Sequence, residues 1–219
     1  MKRGDFCILP VRSLVDGKSR LSAVLGPTER ARLNNRLFQQ MLDCLEAYPG
    51  PAATIVVSGS ADVLDRARRR GMIAVADPPG GLNEAVAAGT LAARAHGAHG
   101  VFVLPVDLPL VTAAALRSLL TQAPADPICL LVPDRHGVGT NLIYQSPIRL
   151  MAYEFGEDSF ARHRAAAQAA GLTVVVRREP RFAIDLDVPA DYELWRQLTD
   201  TAPREAGRRL GEKVETHGV

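Results

Sequence analysis

The chain has 219 residues, 47% of them hydrophobic and 23% charged, with a formal net charge of +2 and both signs interspersed. This is a soluble globular composition with room for one generous core, and it lacks the broad basic field that a nucleic-acid partner requires. No segment reaches the roughly 18 consecutive apolar residues of a membrane span.

At the N-terminus, MKRGDFCILPV breaks at Pro10 before it reads as a signal peptide or an anchor. Cys7, Cys44 and Cys129 are odd in number and lack metal-ligand spacing, which points to buried thiols in a reducing cytoplasm. Residues 5–10 predict a first strand, followed by a polar loop over 11–21 that holds Arg12, Lys18, Ser19 and Arg20. From 28 to 47, Leu33, Leu37, Met41 and Leu45 recur every four positions beside Phe38 and Leu42, the spacing of an amphipathic helix. A strand over 54–58, a helix over 61–70 and a strand over 72–76 follow. Such alternation argues for βαβ units and a single-domain, Rossmann-like α/β fold, a mostly parallel central sheet flanked by helices.

The third strand runs into Asp77, Pro78, Pro79, Gly80, Gly81, Leu82 and Asn83, ahead of an alanine-rich helix over 84–96. Prolines and glycines before a helix N-terminus let backbone amides approach a ligand, and the Asn83 amide suits a base edge or ribose. A plain turn uses the same residues, so both readings stand. Residues 101–104 form a fourth buried strand that stops at Pro105, Val106, Asp107, Leu108 and Pro109. Ligands of open α/β sheets bind beyond the carboxyl ends of strands, so Asp107 is either a metal ligand or the cap of the next turn.

A helix over 112–122 and a strand over 128–132 lead to the loop 133–141, which returns through 142–144 as a hairpin. The amides of that loop and the Thr140 hydroxyl suit a phosphate or carboxylate. Next, Gly156, Asp158 and Ser159 introduce a helix to about Ala170, with Asp158 or Ser159 at its N-cap, a place compatible with anion binding. After a strand over 172–176 comes Asp185-Leu186-Asp187. On extended backbone both carboxylates point to one side and can reach one divalent cation, although Asp187 has a competing role as N-cap of the last helix. That helix closes near Leu198, so residues 1–198 form the domain and the polar stretch 199–219 predicts a disordered tail. Mg²⁺ takes only one or two protein carboxylates, and Asp107 and Asp185, with Lys18 and Arg20 beside the first strand end, suit a nucleoside triphosphate.

In order, LPVRSLVDGKSRLS, DPPGGLNEAVAAG, LPVDLPL, PDRHGVGTN, FGEDSFARH and IDLDVPADY resemble the guanylyltransferases of deazaflavin coenzyme F-420 biosynthesis, over about residues 5–198. The resemblance implies a nucleotide-diphospho-sugar transferase fold of the glycosyltransferase-A-like type. It further implies that the phosphate of phosphoenolpyruvate, 2-phospho-L-lactate or 3-phospho-D-glycerate attacks the α-phosphorus of GTP and releases pyrophosphate. In that scheme Asp107, Asp185 and Asp187 hold Mg²⁺, and Lys18 and Arg20 face the triphosphate. Pro79, Gly80, Gly81, Leu82 and Asn83 meet guanosine, while Thr140, Gly156 and Ser159 bind the acceptor. The partners are small molecules, with hand-over of the product to the next pathway enzyme; oligomeric state is not legible. A phosphate is already an anionic nucleophile, so no general base is needed, and His136 and His163 read as surface or packing residues. Arg12 and Gly17 stand where the family has lysine and alanine.

Neither the base nor the choice of acid follows from the residues themselves. Two alternatives remain: a nucleotide-sugar or molybdenum-cofactor nucleotidyltransferase of the same fold, and a non-catalytic nucleotide-binding module. The intact set of Asp107, Asp185, Lys18 and Arg20 argues against the module, which needs no complete metal site.

Overall fold

The apolar runs pair into one seven-stranded sheet in the computed structural model, which describes residues 4–15, 17–149 and 151–200. Its strands are β1 (Asp5–Pro10), β2 (Thr54–Ser58), β3 (Ile73–Ala76), β4 (Gly100–Val103), β5 (Ile128–Pro133), β6 (Thr140–Ser146) and β7 (Thr173–Val176). They lie in the order β3-β2-β1-β4-β6-β5-β7. Only β6 runs antiparallel to its neighbours, because the short loop after β5 permits a hairpin and not a crossover. The α/β expectation, mostly parallel with a hairpin, is met.

Successive side chains of a strand point to opposite faces. On one face Cys7, Leu9, Val56, Phe102 and Leu130 pack with Phe38 and Leu42 of α1 (Pro27–Ala47), Val63 of α2 (Ala61–Arg69) and Leu116 of α4 (Ala113–Thr121). The opposite face carries Ile8, Ile55, Val57, Val103 and Leu131 against α3 (Leu82–Ala95) and α5 (Ser159–Ala169). A third cluster seats α6 (Pro189–Asp200) through Trp195 with Leu33 and Leu37 of α1 and the intervening Leu21, Ile184 and Leu186. All three cysteines are buried free thiols, and burial pushes Cys44 up to about 11 and Cys129 up to about 12, which keeps them inert. Among the described residues no helix is long and apolar enough to cross a membrane.

The chain winds outward from β1 to β2 and β3, then returns to β4 on the other side of β1. The topological switch between β1 and β4 opens a crevice at their carboxyl ends, where the loops bearing Lys18 and Asp107 emerge. Helix α3 forms the flank of that crevice and sits unusually close to the sheet. A Cβ at Gly89 would lie 2.6 Å from Ile8 Cγ2 and 3.1 Å from Val57 Cγ2.

Several local expectations differ from the fold. Helix α3 starts at Leu82 behind Gly81 as N-cap, so Leu82 and Asn83 belong to its first turn and not to the preceding loop. Strand β6 begins at Thr140, inside the expected loop. Asp185 and Asp187 are not on extended backbone: the Asp187 N–H donates to the Asp185 carbonyl at 3.0 Å, a three-residue turn that removes strand alternation. Nor does Asp187 cap α6, because the helix starts at Pro189 and the Val188 N–H donates to the Asp191 carboxylate at 3.2 Å. Thr199 and Asp200 continue α6, and residues 201–219, the remainder of the expected tail, lie outside the described residues.

Two substitutions test this packing. Alanine is the better helix former, yet Gly89→Ala is expected to lower stability to urea by about 1–3 kcal/mol, because the methyl group has no space above Ile8. At the amino edge of the sheet Asp5 is 2% exposed, and its Oδ2 accepts from the Tyr144 hydroxyl at 3.2 Å while Oδ1 has no partner. Burial raises its pKa above the ordinary 3.8, so its favourable protonated state is lost as pH rises through the folded value. Asp5→Asn is therefore expected to raise the melting temperature at neutral pH and to lose that advantage below pH 3.8.

Candidate active site

Lys18 lies in left-handed backbone, at φ 62° and ψ 41°, a conformation that strains a residue with a Cβ. The turn sends its side chain inward, where it is 7% exposed. Its Nζ donates to the Leu186 carbonyl at 2.8 Å and to Asp107 Oδ2 at 3.3 Å, which leaves one of three ammonium donors for a ligand. The Leu186 N–H in turn donates to the Asp107 carbonyl at 3.1 Å. Loops after β1, after β4 and before α6 thus meet at one ammonium.

Asp185 lies beside them, its Oδ1 3.5 Å from the Asn141 amide. Burial pushes its carboxyl up to about 6, and the negative charge of Asp107, then that of Asp187, adds to the effect. Asp187 is raised as well, by burial first and by Asp107 next, while Lys18 and Arg20 pull it down. Arg20 is 74% exposed and 4.0 Å from Asp187, a loose surface pair. The negative charge of Asp107 thus penalises ionisation of both Asp185 and Asp187, a deficit that a divalent cation relieves. Among the described residues no three acidic, histidine or cysteine side chains already form a metal cage. Mg²⁺ does not need one, because one or two carboxylates with water and phosphate oxygens complete its shell, so the donor set fits.

A cleft of about 640 Å³ opens over this cluster. Lys18, Gly80, Gly81, Leu82, Asn83, Asp107, Gly156 and Asp187 line it, as do Arg12, Ser13, Asn34, Glu84 and Phe155, which the sequence reading did not assign to a site. Gly80 and Gly81 have φ of 133° and 129°, and a Cβ at Gly80 would lie 2.6 Å from Glu84 Cγ, so glycine is required where this loop folds onto α3. Gly17 replaces the expected alanine for a similar reason: a Cβ there would approach Asn34 Nδ2 to 2.9 Å, and that amide holds the Leu14 carbonyl at 3.2 Å.

Other expected site residues are elsewhere. Pro79 and Asp185 adjoin the lining without belonging to it, and Arg20 stands at the surface. Thr140 and Ser159 are 5% and 3% exposed and turn toward His163 behind the cleft wall. His163 Nδ1 is 3.0 Å from Thr140 Oγ1, and Ser159 Oγ donates to the same oxygen at 3.4 Å. His163 Nε2 accepts the Glu154 N–H at 3.0 Å, so the proton of the neutral ring sits on Nδ1 and is donated to Thr140. Burial lowers the His163 pKa to about 4, which keeps that arrangement intact at neutral pH. His163 is thus the packing residue that the sequence reading described. The Asn83 amide, expected at a base edge, bonds instead to the backbone of Phe155.

Of the lining residues without an assigned role, Arg12, named only as part of the basic loop, and Ser13 follow β1 directly, and Asn34 interrupts the apolar face of α1 beside Leu33. Those two signals were available. Glu84 and Phe155 lie inside two of the motifs, DPPGGLNEAVAAG and FGEDSFARH.

The raised carboxyl of Asp185 has a consequence for the cation-free protein. Its protonated state stabilises the fold at low pH, and that contribution is lost as pH rises through about 6. Asp185→Asn, which keeps the contact with Asn141, is expected to melt higher than the parent above pH 6 and to converge with it in acid, as thermal melts with chelator will read out.

The chain matches the family described as Guanylyl transferase CofC like over residues 6–218. It is similar to the phosphoenolpyruvate guanylyltransferase of Sphaerobacter thermophilus, 40% identical over 196 residues that cover 90% of this chain and 93% of the relative. It is also similar to the 3-phospho-D-glycerate guanylyltransferase of Phenylobacterium zucineum, 33% identical over 209 residues covering 94% and 93%. Among solved structures, a candidate nucleotide-diphospho-sugar transferase from Desulfovibrio desulfuricans G20 shares the fold, with a TM-score of 0.71 at 19% identity over 93% of this chain and 91% of that one. With its α/β sheet, strand-end acidic cluster and glycine-lined cleft in place, the chain is a nucleotidyltransferase that belongs to the CofC-like guanylyltransferase family.

Proposed function

We propose that the protein transfers the guanylyl group of GTP to the phosphate of phosphoenolpyruvate, with release of pyrophosphate, as a cytoplasmic step in F-420-type coenzyme synthesis. The observation that carries this reading is the convergence of Lys18, Asp107, Asp187 and the Gly80–Gly81 turn on one cleft. Relatives named phosphoenolpyruvate guanylyltransferase, at 35% to 40% identity over most of the chain, support the choice of acid. The relative named for 3-phospho-D-glycerate favours a second reading, the same chemistry on that acid.

In the proposed reaction a phosphate oxygen of the acid attacks the α-phosphorus, a P–O bond forms, and the bond to the bridging oxygen breaks with its electron pair leaving on pyrophosphate. Asp107, Asp185 and Asp187 would hold Mg²⁺, which when bound supplies charge neutralisation and polarisation of the phosphoryl oxygens. Lys18, fixed by Leu186 and Asp107, directs its remaining N–H at the triphosphate, and Arg12 and Arg20 add positive charge at the rim. The backbone at Gly80 and Gly81 lets guanosine approach α3, and Gly156 leaves space for the acid opposite. Thr140 and Ser159 act from behind, through His163, on the segment that carries Gly156. The attacking phosphate is ionised, so proton abstraction is not required.

The test is to incubate the protein with Mg²⁺, each nucleoside triphosphate and each of phosphoenolpyruvate, 2-phospho-L-lactate and 3-phospho-D-glycerate, and to follow pyrophosphate. GTP with phosphoenolpyruvate is expected to react fastest; release with a sugar phosphate but with none of the three acids overturns the reading. Asp107→Asn is expected to lower kcat by roughly 10²-fold or more with an unchanged circular dichroism spectrum.

A further inference from the structure

Phe155 and Gly156, which line the cleft, end a strap, residues 151–156, that has no regular secondary structure, adjoins the first turn of α3 and is tied down at three consecutive residues. The Thr90 hydroxyl donates to the Val86 carbonyl at 2.9 Å, so at 2.8 Å the Tyr153 hydroxyl must donate to Thr90; it accepts from Gln145 Nε2 at 2.8 Å. The Glu154 N–H donates to His163. The Phe155 N–H donates to Asn83 Oδ1 at 2.8 Å, and its carbonyl accepts from Asn83 Nδ2 at 3.2 Å. The Phe155 ring also meets His163 edge-on, with centroids 4.7 Å apart. Asn83 and Thr90 lie about two turns apart on α3 and so share one face, which makes the helix and the strap a single body.

We infer that Asn83 is a positioning residue that clamps the glycine-turn wall to the strap, and so sets the separation of the two substrates instead of reading the nucleobase. Its carboxamide is held at both ends by a single residue, Oδ1 by the Phe155 N–H and Nδ2 by the Phe155 carbonyl, so the strap fixes the plane of the amide, and turning it to present a base-reading edge would break one of the two bonds. A carboxylate at this position keeps the acceptor and turns the donor into a repulsive contact with the Phe155 carbonyl. Gly156 follows directly, exposed and at a φ of 127°, with no side chain of its own to hold it. Without the clamp, ordering it would fall to substrate binding.

The inference rests on the proposed reading that the nucleoside meets Gly80–Gly81 and the acid meets Gly156. Asn83→Ala and Asn83→Asp in the full chain test it. The KM of GTP and of phosphoenolpyruvate, the preference for GTP over ATP, and hydrogen exchange at the Glu154 and Phe155 amides are measured together. Both KM values are expected to rise about tenfold in both variants, with the nucleotide preference unchanged and the two amides exchanging faster. A rise confined to GTP with lost preference over ATP would make Asn83 a base reader and overturn the inference. So would unchanged KM values with only a lowered melting temperature. If the parent protein releases no pyrophosphate from any pair, the functional reading fails and exchange alone decides: unaltered protection of Glu154 and Phe155 in Asn83→Ala then refutes the clamp.

Discussion

A buried ammonium is tolerable only where charge and carbonyl oxygens replace its water, and Lys18 finds both in loops 89 and 168 residues away. The left-handed turn at Lys18 is the local strain that aims it there. Because its partners belong to the segments that carry Asp107 and Asp185–Asp187, this single side chain brings the acidic cluster into register with the loop after β1. Without that contact the loop after β1 would lose its tie to the other two, which the Leu186 N–H and the Asp107 carbonyl already join.

Helix α3 supplies the second fixed reference. Gly89 and the small alanines let it settle on Ile8 and Val57, which places its N-terminal turn at the rim of the crevice. Its first turn then holds the strap through Asn83, and a later turn holds it through Thr90. The residues behind the strap serve the same end: Thr140 orients His163, and His163 holds Glu154. In the fold Thr140 and Ser159 meet His163, which supports the backbone that lines the cleft.

Asp5, Asp185 and Asp187 are all raised above the ordinary carboxyl range, and their surroundings separate their roles. Asp5 sits at the amino edge of the sheet, raised by burial and partly relieved by the Tyr144 hydroxyl. Asp185 is raised by burial and by the like charges of Asp107 and Asp187, at the edge where strand-end loops converge. Only the second arrangement gathers several negative charges beside a cleft.

The sequence alone determined the α/β class, the order of the elements, the buried thiols, the strand-end loops that bear Lys18 and Asp107, and the family. Those are carried by apolar periodicity, turn residues and short motifs, all of which act between neighbours along the chain. It misjudged the backbone at Asp185–Asp187, read as extended although the Asp187 N–H closes a turn, and it gave Asn34 and Phe155 no place in the cleft. It also pointed Asn83 at a ligand, because a free amide and one committed to Phe155 look the same in one dimension. Which loop meets which is decided by strand order, by the close seat of α3 and by the reach of Lys18. These are contacts between residues far apart in the chain, and only tertiary structure could decide them.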